Sequence, residues 1–187
     1  MPHEVDRVAD QVRRAAEGHA WSGPSAREAL GGVTATMATA HPISGAHSIW
    51  ELVRHMTVWA HAARRRLAGE IVEPTPEEDY PPTDGLRSAD WDRDCRALYA
   101  AHEALATAIA ALDDSALDRT LKGAQEGAQE GAQEGAQEGA QEGAQEGAQE
   151  GASPDYTIYI TAHGLAQHTL YHTGQISLLK RALQPAT

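Results

Sequence analysis

A chain of 187 residues with 41% hydrophobic content is long enough for one domain with its own core. It has no Phe and only 5% aromatics, so that core must rest on Ala, Leu, Val, Ile and four Trp. The formal charge of −12 excludes a basic nucleic-acid footprint; seven of those charges sit in one repeat, leaving −5 elsewhere.

The N-terminal Met-Pro-His-Glu-Val-Asp-Arg has no apolar signal core, and no stretch reaches the roughly 18 apolar residues of a membrane span. Cys95 is the single cysteine, which rules out an intrachain disulfide. These features lead to the expectation of a cytoplasmic protein without membrane or nucleic-acid partners.

Helical spacing dominates the chain and no alternating strand run appears. The first helix is expected over residues 4–17, with Val5, Val8, Val12, Ala15 and Ala16 inward and Gly18 as its stop. Ser25 and Glu28 have capping-box spacing behind Pro24, predicting a short helix to Leu30, and a second short piece follows over Thr34–Ala40. A long helix from Ala46 to Leu67 carries Ile49, Leu52, Val53, Met56, Trp59, Ala63 and Leu67 inward. Its closing Arg64-Arg65-Arg66 reads as a solvated face. Residues 68–88 hold Pro74, Pro76, Pro81 and Pro82 among acids, which predicts a long surface loop without a diagnostic motif.

The next helix, Ala89–Leu112, shows Trp91, Cys95, Leu98, His102, Leu105, Ile109 and Leu112 at alternating spacings of four and three, the seam of a bundle helix. Cys95 on that stripe is expected to be a buried small hydrophobe. Gly-Ala-Gln-Glu then repeats seven times from Gly123 to Glu150, with a trailing Gly151-Ala152. A four-residue period advances about 40° per repeat around a helix, so no fixed apolar face forms. Each Gly also costs roughly 1 kcal/mol against Ala. The segment 123–152 is thus a low-complexity insertion in a single domain spanning 1–187, and such insertions are thermodynamically cheap. The last helix, Tyr156–Leu183, completes an all-α four-helix bundle.

That last helix carries the most informative feature. Its inward stripe is Ile158, Thr161, Leu165, His168, His172, Ile176, Leu179 and Leu183, so two histidines stand where a structural helix would place Leu or Ile. Buried imidazoles are costly unless their nitrogens are satisfied. Either the protein satisfies them as core residues, or the i, i+4 pair holds a metal ion between them. A metal site needs a third ligand. His163 lies about 140° around the helix from His168 and faces away. On the helix ending at Leu67, His47 is about 12 Å along the axis from His55, and His61 is about 120° around from it. His55 flanks the inward stripe and is the third ligand expected, with Glu51 one turn before it. His102 competes, as a ligand, as a partner of a ligand or as a core residue. His3, His19 and His41 fall in terminal or connecting segments and are expected to be exposed.

Trp21-Ser-Gly-Pro-Ser, Pro42-Ile-Ser-Gly-Ala-His-Ser-Ile-Trp-Glu-Leu-Val-Arg-His and Gln167-His-Thr-Leu-Tyr-His-Thr-Gly-Gln-Ile together resemble the DinB/YfiT-like superfamily of small four-helix bundles, which is distinct from the DNA polymerase that shares the DinB name. The resemblance covers the chain apart from the repeat. It implies a divalent metal held by His55, His168 and His172, agreeing with the geometric reading, and it implies a homodimer.

Three neutral imidazoles leave open positions on a divalent ion, zinc or nickel above all, which can activate water or hold a thiolate. The expected function is a metal-dependent enzyme acting on a small-molecule substrate, either a hydrolase or an S-transferase using a low-molecular-weight thiol. Glu51 could then orient His55, serve as a catalytic base or only cap its helix. Trp50, Tyr171 and Gln175 lie near the ligands in sequence, as pocket lining or packing. A non-catalytic, stress-related bundle that binds metal or ligand is the alternative.

Overall fold

The computed structural model describes residues 3–83, 85–121 and 156–184. Within them are seven α-helices: α1 (Glu4–Glu17), α2 (Ala26–Leu30), α3 (Ala35–Thr39), α4 (Ile49–Leu67), α5 (Pro76–Asp79), α6 (Ser88–Ala110) and α7 (Ile158–Ala182). A 3-10 turn, Asp114–Asp118, follows α6. The Gly-Ala-Gln-Glu insertion lies outside the described residues.

The four long helices form a ring in which α1 and α4 each pack against both α6 and α7. The expected stripes face inward: Val5, Val8 and Val12 on α1, and Ile49, Leu52, Val53 and Met56 on α4, are all buried. Apolar stripes at helical spacing on four helices can bury themselves only against one another, which is why this sequence closes into a bundle.

Cap chemistry sets where the helices begin. Ser25 with Glu28, Ser48 with Glu51 and Thr75 with Glu78 all form reciprocal capping boxes. The second starts α4 at Ile49, three residues later than hydrophobic periodicity alone suggests. The third builds α5 inside the stretch read as loop, with Pro76 at the head of the helix, where its missing N–H costs nothing.

Two other expectations are corrected. Arg64 and Arg65 are exposed, but Arg66 is only 5% exposed, because α4 turns its side chain under the following loop. Its Nε donates to the Val72 carbonyl at 2.8 Å. Cys95 is half-buried rather than buried, and burial pushes its thiol up to about 12, so it is inert as a nucleophile.

The core has two apolar halves. One gathers Val5, Val8, Val12, Ala63, Leu105, Ile109, Ile158 and Leu165; the other gathers Ile49, Trp50, Leu52, Met56, Trp91, Leu98, Ile176 and Leu179. Between them runs a polar belt containing His55, His102, Thr169, His172 and Thr173, all buried. A polar layer across a small core has to be satisfied from within.

Candidate metal centre

α4 and α7 run antiparallel, and this brings His55 of one against His168 and His172 of the other. His55 Nε2 lies 2.9 Å from His168 Nε2, and His172 Nε2 lies 3.0 Å from the same atom. Among the described residues these three side chains form the group that could hold a metal ion. His55 and His172 are 5% and 4% exposed; His168 is half-buried.

The outer nitrogens fix the tautomers. His55 Nδ1–H donates to Asp79 Oδ1 at 2.8 Å, with the Asp79 carbonyl at 3.3 Å. The same carboxylate oxygen accepts the Trp59 indole N–H at 2.6 Å. His172 Nδ1–H donates to the Gln175 side-chain oxygen at 2.6 Å. Both imidazoles therefore present unprotonated Nε2 atoms toward His168. A proton on His168 Nε2 could satisfy one of them and never both. His168 Nδ1 is itself buried and has no partner among the described residues.

Protonation does not resolve the conflict. Burial, reinforced by the neighbouring histidine charges, lowers His168 to about 2. Burial and the His55 charge lower His172 to about 4, against the hydrogen bond to Gln175. Each unmet buried polar group costs about 1–3 kcal/mol, and a cation among the three Nε2 atoms could satisfy what no placement of protons satisfies fully. The spacing suits one: metal–nitrogen bonds of about 2.0–2.1 Å place adjacent ligand nitrogens roughly 2.9–3.4 Å apart. Neutral imidazoles with their far N–H groups held by a carboxylate and an amide are ready-made ligands.

The loop after α4 is part of this site. Besides Asp79, it supplies Tyr80, whose ring stacks on His55 at 4.3 Å and 10° and on His47 at 3.7 Å and 3°. Sequence reasoning missed both residues. The signal was present in Thr75-Pro76-Glu77-Glu78, which marks a helix start and therefore an ordered segment ending at Asp79.

The remaining candidates fall elsewhere. Glu51 Oε2 accepts from the Ser48 N–H at 2.6 Å and lies 3.1 Å from His41 Nε2. Burial raises this carboxyl, but the Ser48 bonds and His41 outweigh it and hold it below the usual carboxylate range. The carboxylate beside His55 is Asp79, and Glu51 caps α4. His102 is 1% exposed, with Nδ1 2.9 Å from the Leu98 carbonyl and Nε2 2.9 Å from the Thr169 hydroxyl. It is a core histidine with both nitrogens engaged. Trp50 is fully buried against Trp91 and donates to Asp94 at 2.9 Å, so it packs and lines no opening. Tyr171 is 53% exposed, its ring 5.1 Å from that of His172. His61 is exposed, while His163 is half-buried against Tyr159.

No helix among the described residues is long and apolar enough to cross a membrane. Neither a curated protein nor a solved structure matches the chain significantly. The sequence profile described as DinB superfamily does match, over residues 21–176. That span holds most of the chain and all three converging histidines, and the chain belongs to the DinB superfamily.

Proposed function

We propose that His55, His168 and His172 bind one divalent cation, zinc or nickel, and that the protein is a metal-dependent enzyme acting on a small molecule. The observation that supports this most is the convergence of three Nε2 atoms whose outer nitrogens leave no protonation pattern able to satisfy them. When bound, the metal supplies a Lewis-acidic centre with open positions for water, thiol or substrate.

The chain's own residues do the rest. Asp79 and Gln175 hold His55 and His172 in the ligating tautomer. Trp59 and Tyr80 pack against His55, keeping bulk water from one side of the site. The reaction proposed is S-transfer with a low-molecular-weight thiol, or hydrolysis. In this reading Glu51 acts through the helix cap rather than as a base. The protein works in the cytoplasm as a homodimer, and the exposed Ile160, Tyr171 and Leu178 on the outer side of α7 support such pairing. Sedimentation equilibrium checks the oligomeric state.

Elemental analysis of protein purified without added metal or a histidine tag tests the site, with His55→Ala alongside. Near one zinc or nickel per chain in the wild type, lost in the variant, is expected. Thiol-dependent turnover abolished in His168→Ala then identifies a transferase. Turnover of activated esters or amides without thiol identifies a hydrolase, and metal binding with turnover in neither screen identifies a binding protein.

A further inference from the structure

Arg66 lies two turns beyond Trp59 on the face of α4 that carries His55, about 10 Å further along the axis. It is 5% exposed, and its guanidinium lies 5.4 Å from the Trp59 ring centroid. Trp59 in turn lies 6.1 Å from the ring of His168, so one indole separates the arginine from the three histidines. Nε is taken by the Val72 carbonyl, while Nη2 is buried with no partner among the described residues. On the antiparallel α7, Thr161 lies two turns before His168 on the same helical face, toward the Arg66 end of α4, and its hydroxyl oxygen is likewise buried without a partner among the described residues.

An arginine held this way is costly. Burial lowers the Arg66 pKa, opposed only by the more distant charge of Glu73. Among the described residues no carboxylate comes within ion-pair distance of it. A buried guanidinium with one edge unused is a fork for a planar or tetrahedral oxyanion, and the Trp59 face adds cation–π attraction while keeping that fork in place.

We propose that Arg66, with Thr161 opposite and Trp59 beside it, binds the carboxylate or phosphate of a small-molecule substrate whose reacting end lies at the three histidines. The link to a substrate rests on the metal-centre reading above; anion binding at Arg66 does not. The substrate class is then an extended anion, its charged group and its reacting atom on either side of Trp59, whose ring lies 5.4 Å from the guanidinium and 6.1 Å from the His168 ring.

The test uses full-length protein carrying 5-fluorotryptophan, with the Trp59 resonance assigned by Trp59→Phe and sodium acetate and inorganic phosphate as probes. Titrations are run on metal-free and metal-loaded protein, against sodium chloride at equal ionic strength. The expected result is a saturable shift of the Trp59 resonance by at least one probe, present without metal and retained in His168→Ala. Acetate alone points to a carboxylate and phosphate alone to a phosphoryl group. Arg66→Gln should weaken binding roughly 10–100-fold, the loss of a charge-assisted hydrogen bond, and Arg66→Lys should weaken it less. Thermal unfolding of Arg66→Lys verifies that the helix still packs. No saturable shift with either anion, or an undiminished one in Arg66→Gln, overturns the proposal and leaves water as the partner of Nη2. Anion binding without metal binding would refute the metal centre and leave the Arg66 site standing.

Discussion

His102 and the His55–His168–His172 set occupy the same polar belt between the two halves of the core, yet they solve opposite problems. His102 spends both ring nitrogens on the protein, one facing the Leu98 carbonyl and the other the Thr169 hydroxyl. The other three spend only their outer nitrogens, and only two of them do even that. Their inner nitrogens crowd within 3.0 Å of His168 Nε2. Burial alone therefore does not separate a ligand from a core residue, since His102 is the most deeply buried of the four. What separates them is how their hydrogen bonds are met: a satisfied histidine is structural, whereas converging nitrogens with lone pairs to spare form a group that could hold a cation.

The sharpest way to break this contrast is substitution on each side of it. His168→Ala should take metal content from about one per chain to none, while His102→Ala should keep its metal and lose about 2–4 kcal/mol of stability in urea unfolding. Metal loss in the His102 variant with its fold intact would erase the distinction.

Asp79→Asn comes next. The carboxylate that fixes the His55 tautomer should be worth 10–100-fold in metal affinity, read by competition with a chromophoric chelator. An unchanged affinity would make Asp79 a partner of Trp59 only.

The pH response follows the depressed histidines. His102, His168 and His172 all have folded pKa values below the ordinary 6.5. Below that value the unfolded chain takes up protons that the folded chain refuses, so stability is complete above about pH 6.5 and falls as the pH drops. His168 and His172 should each contribute up to about 1.4 kcal/mol per pH unit, and His102 should act in the same direction. Urea midpoints of the metal-free protein between pH 7 and pH 5 measure the slope, and His102→Gln should remove one histidine's share. A flat profile would mean that these groups charge freely in the native state.

The smallest effect expected is that of Glu51→Gln. Because Gln still completes a capping box, the variant should lose no more than about 1 kcal/mol and retain its metal affinity. A marked loss of turnover with metal bound would return Glu51 to the catalytic list.

Much of the bundle was legible because stripes such as Val5-Val8-Val12 and Leu98-Leu105-Ile109 can face only inward. The histidine set was legible for the same reason: polar residues on an apolar stripe are visible by contrast. What escaped lay where the chain is not periodic. Asp79 and Tyr80 reach His55 across 24 and 25 positions of sequence, and only the fold of the loop brings them there. Arg66 misled because a triple-arginine run ignores the helical phase, which turns one of its members inward. Glu51 was ambiguous because the spacing that places it near His55 is also that of a cap, and its distances show the cap.

X-ray absorption at the metal edge of protein reconstituted with zinc or nickel tests the central claim most directly. The account predicts a first shell containing three imidazole nitrogens at about 2.0–2.1 Å, falling to two or losing the metal altogether in His55→Ala. A shell with fewer than three imidazoles in the wild type, or one unchanged in the variant, would contradict it.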